Sequence, residues 1–167
     1  MNINTRTFLE LCAELTGYSA TELEGTGLVD VYQPLLEQQV GPTIAAWLYS
    51  TARRVLAHES EGARAHHMKV EILASPQLWP VCAMLTSAWY LGAWTCLPAS
   101  WYAFVGEKVP KGVTPGATSV PTAMCYVQQL SFRGAGAHPP GALPTGHGSW
   151  GIPPVFGDVH APKEVAS

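Results

Sequence analysis

The sequence predicts an all-α protein, a compact bundle of about five helices followed by a long, extended, Gly/Pro-rich C-terminal arm. Three observations carry this reading. Apolar residues in the first hundred positions recur at helical spacing. No segment sustains the period-2 alternation of a half-buried strand. From residue 109 to residue 167, nine glycines and nine prolines fall within 59 residues, a composition that argues against packed helices. The expected division is a helical core domain over residues 1–108 and an arm over 109–167.

Taken in order, Thr5 or Thr7 is placed to cap a first helix whose Phe8, Leu11, Cys12 and Leu15 share one face. Gly17 is placed to end it. Ser19 with Glu22 reads as a capping box for a second helix through Leu23, which Gly25 and Gly27 break. Leu28, Val31, Tyr32, Leu35 and Leu36 resume the pattern, with Pro34 suited to a new first turn. After the punctuation at Gly41-Pro42-Thr43, Ile44, Trp47, Leu48, Thr51 and Val55 form the next stripe. A polar link, 59–62, leads to a helix through Met68, Ile72 and Leu73.

The stretch from Ser75 to Phe104 is the centre of the chain. No Asp, Glu, Lys or Arg occurs between Glu71 and Glu107. A helix begun by Pro76 and Pro80 carries Val81, Leu85, Ala88, Tyr90 and Leu91 around nearly its whole circumference, and such a helix must be covered on all sides. Three tryptophans and two tyrosines follow one another from Trp89 to Tyr102. Leu78–Leu97 has about the ~20 residues that a bilayer requires. Pro80, the polar Thr86, Ser87, Tyr90 and Thr95, and sparse flanking cations favour a buried or interface helix instead.

The arm is not polar filler, for it holds Met124, Tyr126, Leu130, Phe132, Trp150, Ile152, Val155 and Phe156. Only 121–132 is suited to a short helix. The rest reads as extended chain, with polyproline-like pieces at His138-Pro139-Pro140 and Ile152-Pro153-Pro154. Such a segment has no core of its own, so its apolar side chains need another surface. The arm is therefore expected to wrap a partner, with Trp150 and Phe156 as anchors.

Several function classes find no support in the residues. Charged residues make up 13% of the chain and the net charge is −3, without the basic patch of a nucleic-acid binder. Cys12, Cys82, Cys96 and Cys125 lack the spacing of a zinc, redox or haem motif and read as small buried hydrophobes, one long-range disulfide being the alternative. His66 and His67, about 100° apart on a helix, serve a metal poorly and read as surface residues. The run Gly134-Ala135-Gly136-Ala137 lacks the third glycine and the lysine of a phosphate loop. No nucleophile motif is present, and Asp occurs only at 30 and 158. No catalytic, cofactor or metal residue is expected in this chain. The N-terminus, Met1-Asn2-Ile3-Asn4-Thr5-Arg6, has no secretory n- and h-regions.

Four elements share an order with a known family: 8–17 (FLELCAELTG), 88–92 (AWYLG), 120–126 (VPTAMCY) and 147–154 (HGSWGIPP). Together they resemble the small subunit of bacterial membrane-associated FAD-dependent sugar and polyol dehydrogenases, the glucose, sorbitol, fructose and glycoside 3-dehydrogenase complexes. The resemblance spans residues 8–154. It implies a large catalytic partner of the glucose–methanol–choline type that holds the FAD. Electrons would leave through an iron–sulfur centre, where present, and a cytochrome c with haem c. The small subunit would be non-catalytic, supporting folding and export of the large one at the periplasmic face of the inner membrane, with an export signal supplied from elsewhere. Without such a signal the expected compartment is the cytoplasm. The expected contacts are Trp89, Tyr90, Trp94, Trp101 and Tyr102 on the core, with Tyr126, Trp150, Pro153, Pro154 and Phe156 on the arm. The rivals are a small helical enzyme or cofactor carrier acting alone, and an integral membrane protein.

Overall fold

The computed structural model describes residues 3–137. Its first helix, α1 (Ile3–Thr16), buries Phe8, Leu9, Leu11 and Cys12 on one side. It begins before the expected caps, so Thr7 lies inside the helix and its hydroxyl donates back to the Ile3 carbonyl at 2.8 Å. Gly17, at φ 77°, ends the helix in the left-handed region. The capping box forms as the sequence indicates: the Ser19 hydroxyl accepts from the Glu22 N–H, while the Glu22 carboxylate accepts from the Ser19 N–H at 2.8 Å. It opens the short α2 (Ala20–Glu24).

Helix α3 (Val29–Leu56) joins what the sequence divides. Pro34 does not start it but sits inside it, because Tyr32 and Leu36 on either side are both fully buried and hold the turn in place. The expected break at Gly41-Pro42 appears as a kink, with Gly41 at φ 76° and ψ 167°. Helix α4 (Glu61–His67), capped by the Ser60 hydroxyl, runs on into a π-helical turn at Met68–Leu73 that turns Met68 and Ile72 inward. The uncharged helix, α5 (Trp79–Leu91), carries Pro80 in its first turn and ends at Gly92, φ 64°. Beyond it, Trp94–Thr95 (β1) and Thr118–Ser119 (β2) form a two-residue antiparallel ladder, where no strand was expected. Helix α6 (Ala99–Val105) lies between them, and α7 (Ala123–Val127) and α8 (Leu130–Gly134) follow.

Three aromatic side chains occupy the middle of the core. The Tyr32 ring meets Trp89 edge-on at 5.0 Å and stacks on Trp94 at 5.9 Å. The Tyr32 hydroxyl donates to the Ala88 carbonyl at 2.9 Å, so a buried O–H has its acceptor. Gln39 and Tyr102 satisfy each other: the Gln39 amide donates to the phenol oxygen, and the phenol donates to the Gln39 carbonyl at 2.8 Å. The Trp101 indole N–H donates to the Gln77 carbonyl at 3.0 Å. Tyr90, half-buried, reaches α1 through a 2.7 Å bond to the Thr16 carbonyl.

The division expected at residue 108 is not where the packing ends. The Cys96 N–H donates to the Ala117 carbonyl at 2.8 Å and the Gly116 N–H returns to the Cys96 carbonyl at 3.2 Å. Cys125 and Leu130 are fully buried against α5. Cys125 and Leu130 therefore add to the core that composition assigned to 1–108 alone. The short pieces that carry them pack on α5 although Gly and Pro keep the chain around them irregular. The arm residues Trp150, Pro153, Pro154 and Phe156 lie outside the described residues.

A polar cluster ties the end of α3 to α4. Glu71 receives Arg54 Nη1 at 2.5 Å and lies 2.7 Å from His67 Nδ1, and the His67 ring stacks on His58 at 4.1 Å. His66 is exposed, as expected; His67 is half-buried and holds this carboxylate. The bond from His67, helped by the Arg54 charge, keeps the Glu71 carboxyl below its ordinary value. A depressed folded-state value adds stability above the unfolded value of about 4.3, and that stability is lost as pH falls through the folded one. Glu71→Gln is thus expected to remove part of the acid-side loss of stability below about pH 4.3. Urea midpoints between pH 3 and 7 test this; parallel pH profiles for both proteins would contradict it.

Candidate partner-binding surface

Four of the five core residues expected to meet a partner are used up internally. Trp89, Trp94, Trp101 and Tyr102 are each at most 5% exposed and lie in the chain's own core. For Trp89 the physical reason lies in the helix geometry of α5. Val81, Cys82, Leu85, Ala88 and Trp89 make one stripe, and it is this stripe that faces α1 and α3. Trp94, Trp101 and Tyr102, beyond that helix, are held by the Tyr32 ring, the Gln77 carbonyl and Gln39 respectively. Tyr90 is half-buried, and Tyr126 is 41% exposed.

The other side of α5 is a second stripe: Trp79, Ala83, Thr86, Ser87 and Tyr90, at i, i+4, i+7, i+8 and i+11. With Leu91, Leu15 of α1 and Met68 and Leu73 of the π turn, it lines an open groove of about 580 Å³ whose one charged lining residue is Glu14. Glu14 is already paired with Arg64 at 3.3 Å. Enclosure on all sides, which the sequence implied for α5, is therefore only half supplied by the described residues. Trp79 is 51% exposed and Leu91 58%. Neither was among the expected contacts, although the separation of stripe 79/83/86/87/90 from stripe 81/85/88/89 was present in the spacing.

Further exposed apolar side chains follow α5 along the chain. Among the described residues, ten large hydrophobic side chains are exposed, and six of them fall from Leu91 to Tyr126: Leu91, Phe104, Val109, Val120, Met124 and Tyr126. The β1–β2 ladder holds Thr118–Ser119, next to Val120, beside Trp94–Thr95, and the close approach of Gly92 to Cys125 holds α7, with Met124 and Tyr126, at the end of α5. Of these, the sequence reading placed only Tyr126 among the expected partner contacts.

The thiols bear on chemistry. All four cysteines are free, so no disulfide joins them. Burial pushes the Cys12 thiol up to about 12, against a partial offset from the Trp89 indole, and burial also pushes Cys82 up to about 12. Both are protonated at neutral pH. Cys125 is fully buried, whereas Cys96 is partly accessible. A thiol reagent at pH 8 is therefore expected to modify one cysteine in the native protein, Cys96, and four after denaturation. Rapid native modification of Cys12 or Cys82 would contradict the packing.

Among the described residues, no group of three or more His, Cys, Asp or Glu side chains is placed to hold a metal ion, and no helix is long and apolar enough to cross a membrane. Set beside known proteins, the chain matches no family model, no curated protein and no solved structure.

Proposed function

We propose that this chain is the non-catalytic small subunit of an FAD-dependent sugar or polyol dehydrogenase, folding with and stabilising a large catalytic subunit of the glucose–methanol–choline type. In this reading FAD belongs to the large subunit, an iron–sulfur cluster and haem c to the electron-accepting partners, and the complex works at the periplasmic face of the inner membrane. The observation that supports it is the set of large apolar side chains left exposed from the end of α5 onward: Leu91, Phe104, Val120, Met124 and Tyr126. Side chains of this kind, left in water, favour association, and burying them against a partner that binds only the folded form stabilises both by mass action.

The test is recovery of the flavoprotein by tagged variants expressed in the native host. Phe104→Glu with Met124→Glu places two charges among these side chains without touching the core. Recovery is expected to fall at least about tenfold, the equivalent of losing one well-packed hot spot. Val70→Glu, at an exposed site elsewhere, is expected to leave recovery unchanged. Equal recovery by all three proteins would remove these side chains from the interface.

A further inference from the structure

We infer that the groove on the outer side of α5 is the seat of this chain's own segment Trp150–Phe156, Trp-Gly-Ile-Pro-Pro-Val-Phe, bound in cis. The inference goes beyond the subunit reading and does not depend on it.

The groove's chemistry is the starting point. Two aromatic side chains, Trp79 and Tyr90, stand on its α5 wall, with the small Ala83 and Ser87 between them. Aromatic-lined grooves bind proline-rich chain because a polyproline helix is already extended and loses little conformational freedom on docking. The groove has no unpaired charge to satisfy, since Glu14 is held by Arg64.

The occupant follows from where the described chain leaves off. Helix α8 ends at Gly134, beside Tyr18, whose hydroxyl donates to the Leu130 carbonyl at 3.4 Å. The Tyr18 ring in turn meets Tyr90 edge-on at 6.3 Å, and Tyr90 lines the groove. The chain thus departs from α8 one side chain away from the groove wall. The 12 residues between Ala137 and Trp150 reach up to about 40 Å when extended. From Gly134 to Gly157 no Asp, Glu, Lys or Arg occurs, which matches a groove that offers no charged partner. The sequence Ile152-Pro153-Pro154 supplies a proline pair, and Trp150, Val155 and Phe156 supply apolar side chains. A tether this short places the segment at an effective concentration on the order of millimolar, so weak intrinsic affinity is enough to hold it.

The seat can be tested in the full chain, in its host, with a benzophenone photocrosslinker introduced singly at Thr86 or at Leu91, both on the groove. The expected product is an intrachain cross-link at monomer mass, mapped to the peptide containing 150–156. Pro153→Asp with Pro154→Asp is expected to lower its yield at least about tenfold. The use of two positions guards against a folding defect caused by one of them. A cross-link to a second copy, a cross-link to the flavoprotein or another protein, or no cross-link from either position would overturn the inference. So would an intrachain product indifferent to the double Asp variant.

Discussion

Gly92→Ala is expected to destabilise the protein by about 2–5 kcal/mol, from the left-handed backbone penalty and the cost of a forced clash together. At φ 64° a side chain is strained on its own account. The added Cβ would also stand 2.8 Å from the Cys125 carbonyl carbon and 3.1 Å from the Tyr126 Cα, and closer still to the Cys125 oxygen. Those atoms are backbone and cannot swing aside, so α7 must lift from α5. Gly106→Ala is the control. Gly106 has a similar φ of 74°, but nothing lies within 4 Å of its added Cβ, so only the backbone penalty of about 1–2 kcal/mol applies. Pulse proteolysis in urea gives both values from lysate without isolating the chain. Modification of Cys125 by a thiol reagent is expected in the Gly92 variant and not in the Gly106 variant. Equal losses in the two variants would mean that residues 122–127 do not pack on α5.

Trp89→Ala is expected to cost about 3–5 kcal/mol, the range for emptying a buried aromatic site. Trp89 is fully buried, and its removal also takes away the edge-on contact that Tyr32 makes at 5.0 Å. Trp89→Phe is expected to cost much less than the loss of ring size suggests. The Trp89 indole N–H meets no oxygen or nitrogen acceptor in the fold, only the weakly accepting Cys12 sulfur, so phenylalanine gives up little hydrogen bonding, and that offsets part of the smaller ring. The same urea measurement checks both variants. A Trp89→Ala protein with an unchanged midpoint would mean that the side chain faces outward, as a partner contact would.

Particular residues show how much of this could be read from the sequence. The capping box at Ser19 and Glu22, the glycine stop at 17 and the interruption at Gly41 were legible because each is set by local backbone chemistry. The burial of Trp89, Trp94, Trp101 and Tyr102 was not. An aromatic-rich, uncharged helix is written the same way whether its own chain or a partner covers it, and only the packing of α1, α3 and residues 109–137 decides the matter. After Val109 the helical stretch at 121–132 was legible and its burial was not. It forms as α7 and α8, and Cys125 and Leu130 each need only one short turn to reach the core, too short for a buried stripe to show in the sequence. Of the side chains proposed to meet a partner, the expected contacts included Tyr126 but not Leu91, Phe104 or Met124, because exposure is a property of the tertiary fold and not of any local pattern.

The central claim is that this chain lives as part of a flavoprotein complex, and affinity purification of the tagged chain from its native host, with mass spectrometry and a visible spectrum, tests it most directly. The expected result is stoichiometric recovery of a flavoprotein of about 60 kDa, the size of some four typical domains, with yellow flavin absorbance. Recovery of this chain alone, as a colourless, monodisperse, cooperatively melting monomer, would contradict it.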